Sequence, residues 1–171
     1  STVVINNAPP EISGTAFNNT DLNNYTNGTL QLSFATKDID GDTVVDGIDW
    51  FLDGSLNTTF DNLTIIGSGN TSKTENWTMV VYATDNSDFA GNFTSSVVII
   101  NAPPIINSFV YNSTDPNNHT NGSLSIYYNA SDVDNDNFNI TTDWYKDSTV
   151  QMALYNFSNI TSANTSKTEN W

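Results

Sequence analysis

The 171-residue chain contains no cysteine and no arginine. Disulfide scaffolds, thiolate zinc sites and cysteine nucleophiles are therefore excluded. Its basic residues are four lysines (Lys37, Lys73, Lys146, Lys167) against 19 acids, a formal net charge of −15. Binding to a phosphate backbone rests on clustered Lys and Arg, so nucleic acid is excluded as a partner. The longest apolar run centres on Val97–Ile100, whereas a membrane span needs roughly 18 to 20 residues. This segment carries no membrane span and no secretory signal. Apolar residues make up 37% of the chain, below the roughly 45 to 50% of ordinary domains, so the core must be thin. In their place stand 27 Asn and 41 Ser or Thr. The aromatic share of 12%, with four Trp, is too high for a disordered acidic tail.

Self-comparison gives the organisation. A shift of 94 residues aligns Ser1–Trp77 with Ser95–Trp171 without a gap and with 35 identities in 77 pairs. Asn7-Ala8-Pro9-Pro10 matches Asn101-Ala102-Pro103-Pro104, and the eight residues Asn70–Trp77 recur unchanged as Asn164–Trp171. This register implies three pieces: residues 1–6 as the last strand of a preceding module, 7–100 as a complete module, and 101–171 as a second module truncated before its last two strands. A tandem array is the simple source of such a pattern. Completion of the last module by a strand from a neighbouring subunit is the alternative.

Within the module the apolar period is two. Leu30, Leu32 and Phe34 alternate with polar or small residues; so do Ile48, Trp50 and Leu52, then Leu63 and Ile65, then Trp77, Met79, Val81 and Ala83. Turn chemistry separates these runs at Asn27-Gly28, Asp40-Gly41-Asp42, Asp53-Gly54 and Ala90-Gly91-Asn92. No stretch sustains a 3.6-residue period. The expected fold class is all-β, with tandem immunoglobulin-like β-sandwich modules of about seven strands packed around Trp50 and Trp77.

Asn7–Pro10, Asp38–Asp42, Trp50–Gly54 and Trp77–Asp85 together resemble the tandem Ig-like or fibronectin-III-like repeats of large prokaryotic surface proteins, archaeal ones included. The resemblance spans both copies, the second carrying Asn135 for Gly41 and Ser148 for Gly54. It implies spacing and display more than chemistry.

Asn-x-Ser/Thr triplets with x not Pro are the second strong signal. They occur at Asn18, Asn24, Asn27, Asn57, Asn62, Asn70, Asn76 and Asn92, and at Asn112, Asn118, Asn121, Asn129, Asn139, Asn156, Asn159 and Asn164. Random order of the same residues gives about 6.5, so sixteen is some 2.5 times expectation. A modified Asn must point away from the core. Strand parity puts Asn129 outward when Leu124, Ile126 and Tyr128 point in, Asn139 outward when Ile140, Thr142 and Trp144 point in, and Asn62 outward when Leu63 and Ile65 point in. Asn159 shares parity with Phe157, which predicts a strand end or bulge there. Plain turn chemistry is the competing explanation of these asparagines. N-linked glycans as covalent partners place the chain outside the cell or on its surface.

Asp38, Asp40 and Asp42, with Asp49 at the twelfth position, loosely follow a calcium loop, as do Asp132, Asp134, Asp136 and Asp143. The sixth position is Thr43 or Asn137 where such loops have Gly, and a solvated hairpin turn is the alternative. Calcium is the sole cofactor candidate. Paired acids could serve glycoside hydrolysis, but Glu occurs only three times and His119 once, so no enzyme is expected. Lys73 and Glu75, repeated as Lys167 and Glu169, invite either a contact between modules or a local turn. Phe51, Tyr145, Tyr25, Phe17 and Tyr111 are candidate outward rings. The Pro-Pro pairs stiffen the path between modules. The functional expectation is a glycosylated extracellular rod or filament that meets neighbouring copies of itself; an adhesin or carbohydrate-binding accessory module is the alternative.

Overall fold

The computed structural model describes residues 2–171. It is all-β and divides into two compact units, residues 1–102 and 103–171. Helical structure among the described residues is confined to three-residue 3₁₀ turns, and no helix is long and apolar enough to cross a membrane.

The first unit has seven strands: β1 (Glu11–Asn19), β2 (Leu30–Lys37), β3 (Val45–Leu52), β4 (Ser55–Leu56), β5 (Ile65–Ile66), β6 (Asn76–Thr84) and β7 (Phe93–Val98). They form two antiparallel sheets, ordered β1-β2-β5 and β4-β3-β6-β7. Leu30, Leu32 and Ile66 from one sheet meet Ile48, Trp50, Trp77, Met79 and Val81 from the other in one core. The strict alternation on β6, with Trp77, Met79, Val81 and Ala83 all buried, is what a sheet with one wet face requires. Rings stack edge-on through this core, Phe17 to Trp50 at 5.5 Å, Trp50 to Trp77 at 6.3 Å and Trp77 to Phe60 at 5.5 Å. Each such contact adds roughly 0.5 to 1.5 kcal/mol beyond burial, which is how a thin core lacking a disulfide holds two sheets together.

Three expectations change here. Leu63 and Ile65 are exposed, and Ile66 is the buried residue. Register decides it: Ile66 pairs with buried Leu30, whereas Ile65 pairs with exposed Gln31. Asn62 consequently owes its outward position to a turn and not to strand parity. Phe17, expected as an outward ring, packs from its strand on Trp50, while Tyr111, also in a strand, stays exposed with its ring 5.8 Å from that of Trp144. A strand is expected over residues 1–6; Ser1 lies outside the described residues, and residues 2–6 have no regular structure, with Val3 82% and Ile5 87% exposed.

The second unit has β8 (Ile105–Ser113), β9 (Leu124–Ser131), β10 (Tyr145–Lys146), β11 (Thr149–Val150) and β12 (Asn159–Ile160), in sheets β12-β9-β8 and β10-β11. Residues 137–144, which align with most of β3, form no strand. In the first unit β3 is held along its whole length by β6, Val45 opposite Thr84 through Leu52 opposite Trp77. Among the described residues no strand of the second unit lies beside this segment, and a strand without a partner leaves its N–H and C=O groups unpaired. Burial still alternates there, Ile140 and Thr142 half-buried, Trp144 buried and Asn139 exposed.

Local geometry repeats faithfully. Asp53-Gly54 and Asp147-Ser148 both adopt positive φ at both positions, 50° and 81° against 46° and 65°, the tight hairpin turn that joins β3 to β4 and β10 to β11. Trp50 Nε1 donates to Leu63 O at 2.9 Å and Trp144 Nε1 to Phe157 O at 2.8 Å.

Candidate functional site

Fourteen of the sixteen sequon asparagines are exposed, and Asn24 and Asn57 are half-buried. None is buried. Exposure alone does not set them apart, because the other asparagines except Asn19 are exposed as well. Backbone conformation divides the sequon asparagines among themselves. Asn24, Asn62, Asn118 and Asn156 have φ between 58° and 62°, the left-handed region that Asn tolerates better than most residues. Turn chemistry accounts for Asn at those four positions. Asn62 Oδ1 also accepts from Ile48 N at 3.0 Å, and Asn156 Oδ1 from Thr142 N at 3.1 Å. Asn57 Oδ1 caps a 3₁₀ turn through Thr59 N, and Asn112 Oδ1 accepts from Ser113 N. In each of these cases the amide oxygen is engaged, while glycosylation uses the nitrogen.

Placement along the sheets is uneven. In the first unit the central strands β2 and β3 carry no sequon, and β6 carries one at its first residue, Asn76. The others lie on edge strand β1 (Asn18) or in turns: Asn24, Asn27, Asn57, Asn62, Asn70 and Asn92. In the second unit Asn112 lies on β8, Asn129 on β9 and Asn159 opens the two-residue β12, the strand end that its parity predicts. Asn118, Asn121, Asn139, Asn156 and Asn164 lie outside strands.

The aspartate loops follow β2 and β9. Asp38 Oδ1 accepts from Asp40 N at 2.7 Å and Asp42 N at 3.2 Å. Asp132 Oδ1 does the same with Asp134 N at 2.8 Å and Asp136 N at 3.2 Å. Among the described residues one acidic group can gather on a single ion: Asp132, Asp134 and Asp136, each offering a carboxylate oxygen within 4.8 Å of the others. Asp38, Asp40 and Asp42 do not converge in this way. Their loop differs at Ile39 and Gly41, where the second has Val133 and Asn135, and φ at the tip is 84° for Gly41 against 57° for Asn135. Asp49 and Asp143 belong to neither group.

Sequence reasoning missed a polar cluster beside the first loop. Ala8 N donates to Asp40 Oδ2 at 2.7 Å, and Asn7 Nδ2 reaches Asp85 Oδ2 at 2.8 Å and Asp88 Oδ2 at 3.1 Å. The Asn7-Ala8-Pro9-Pro10 opening and the aspartates therefore form one fastening. Asp85 also accepts from Asp88 N and Ser87 N. Those backbone donors, Asp88 first, and the Asn7 amide hold its carboxyl below the ordinary 3.8. Recurrence of both motifs at one spacing was the available signal.

The unchanged Asn70–Trp77 block is a local device. Glu75 Oε2 accepts from Ser72 N at 2.7 Å and Trp77 Nε1 at 2.9 Å. Glu169 Oε2 repeats this with Ser166 N at 2.7 Å and Trp171 Nε1 at 3.1 Å. The carboxylate thus closes a turn and orients the core indole. His119 pairs through Nδ1 with Asp115 Oδ1 at 3.1 Å on the surface, a plain surface contact.

A groove of about 650 Å³ in the second unit is lined by Tyr111, Asn118, Thr168, Glu169 and Trp171 among others. Its counterpart in the first unit is filled. There Ile99, 1% exposed, exchanges hydrogen bonds with Thr74 N and Glu75 O, and Ile100 N donates to Asn24 O. Shifted by 94 residues, those partners are Thr168, Glu169 and Asn118, all of which line the groove.

Compared with protein-family models, curated proteins and solved structures, the chain matches none.

Proposed function

We propose that the chain is a stretch of tandem immunoglobulin-like modules from a heavily N-glycosylated extracellular protein, a surface fibre, stalk, sheath or S-layer component whose work is mechanical and protective. Lettered in chain order, the strands of the first unit read A, B and E in one sheet and C′, C, F and G in the other, the arrangement that supports an Ig-like reading over other sandwiches. The 94-residue recurrence of turns, indole bonds and the Glu75 and Glu169 ties supports the tandem reading. The groove lined by Thr168, Glu169 and Asn118 aligns with the residues that hold Ile99 and Ile100 in the first unit, which supports reading it as a strand seat.

One observation carries the glycoprotein reading: sixteen sequons, some 2.5 times random expectation, none buried and eleven of them outside strands. Sugars in those places flank the exposed sheet edges, where unpaired backbone groups would otherwise recruit other strands. Mass spectrometry of protein purified from its native source checks this. Sugar masses on peptides carrying Asn92, Asn129 or Asn139 are expected; a mass equal to the bare polypeptide refutes the proposal.

A further inference from the structure

We propose that the loop carrying Asp132, Asp134 and Asp136 is a calcium-binding site. The three carboxylates each present an oxygen within 4.8 Å of the others, and two oxygens that both ligate one calcium ion at about 2.4 Å lie no farther apart than that. A cluster of acids on a turn is common without an ion, so the decisive observation is Asp132 itself. The residue is 9% exposed. Its Oδ1 is used by the amides of Asp134 and Asp136, which fixes the carboxylate inside the turn that bears the other two acids. Its Oδ2 is shut off from solvent and has no hydrogen-bond partner. The equivalent oxygen of Asp38 is in the same condition in the first unit, but Asp38, Asp40 and Asp42 do not converge, so among the described residues the second loop alone joins such an oxygen to a gathered set of acids.

A buried carboxylate oxygen without a donor carries its full desolvation penalty. A cation beside it removes that penalty and draws the neighbouring carboxylates together. Hard oxygen ligands on a short irregular turn suit calcium, which accepts six to eight oxygens in flexible geometry, with backbone carbonyls and water completing the shell. Magnesium demands near-octahedral order that a three-carboxylate turn does not impose. Affinity is expected in the range of extracellular modules, a Kd of about 10⁻⁴ to 10⁻³ M.

The test is a calorimetric titration of the chelator-stripped 171-residue chain with calcium chloride at physiological salt, with magnesium chloride in parallel. Saturable calcium binding in that range, at least tenfold weaker in Asp132→Asn and in Asp136→Asn and unchanged in Asp49→Asn, is expected. Near-ultraviolet circular dichroism of the tryptophans verifies that each variant is folded, and amide chemical shifts of residues 132–136 report the site directly in the unsubstituted chain. Absence of saturable binding well above that range, equal affinity for magnesium, shifts confined to other residues, or affinity unchanged in both loop variants overturns the proposal.

Discussion

Asn7 and Asp85 illustrate how much a single side chain organises here. One amide nitrogen holds two carboxylates, Asp85 and Asp88, while the next backbone amide holds a third, Asp40. Because the Asp85 carboxyl is held below its ordinary value in the folded protein, its contribution to stability is present above about pH 4 and is lost as pH falls through the depressed folded value. Asn7→Ala removes one of the groups that favour the charged form. Melting temperature measured between pH 7 and pH 2 should fall less steeply on the acid side in this variant than in the parent. Ser148 offers the opposite opportunity. It holds φ 65° where the first copy has Gly54 at 81°, and a left-handed residue with a Cβ costs roughly 1 to 2 kcal/mol. Ser148→Gly should raise the stability of the second unit by about 0.5 to 1 kcal/mol in a denaturant titration, the gain being reduced by the greater freedom of glycine in the unfolded chain.

Elements show what the sequence made legible and what it hid. The alternation of Trp77, Met79, Val81 and Ala83 set the facing of β6 without ambiguity, because four consecutive odd positions are apolar and the intervening ones polar or tolerant of water. Asn27-Gly28 was legible as a turn, yet the need for glycine there is spatial: a methyl group on Gly28 would overlap the Asn19 side chain, a long-range fact that no local rule contains. β5 was misread for a related reason. Two adjacent isoleucines offer equal hydrophobicity, and which one enters the core is decided by its pairing with Leu30 across the sheet. The Asp132 loop was visible as a spacing of acids, shared with the Asp38 loop, but the convergence of its three carboxylates is a property of the folded turn. For the sequons, the order of residues showed an excess over what composition alone gives; the backbone then separated Asn24, Asn62, Asn118 and Asn156, which their turns require, from positions such as Asn129 and Asn139, which no positive φ demands.

At the scale of the whole chain, the repeat makes each unit a control for the other. The first has its core closed by β6 and β7; the second has the same Trp144 and Trp171 contact, at 6.4 Å, with an open groove beside it. Extending the chain after Trp171 with a second copy of residues 78–100 should close that groove and raise the unfolding temperature of the second unit toward that of the first. Circular dichroism and hydrogen exchange at β8 and β9 measure the change. No added protection at those strands would show that the groove is not a strand seat.

The bond from Ile48 N to Asn62 Oδ1 has a final consequence. A sugar joined to the nitrogen of that amide would be anchored at its root, its first ring held to one bearing by the sheet beneath. One joined to an amide without such a hold would swing freely. A coat assembled from both kinds would combine fixed bristles with loose ones, in a proportion set by which amide oxygens the backbone has already claimed.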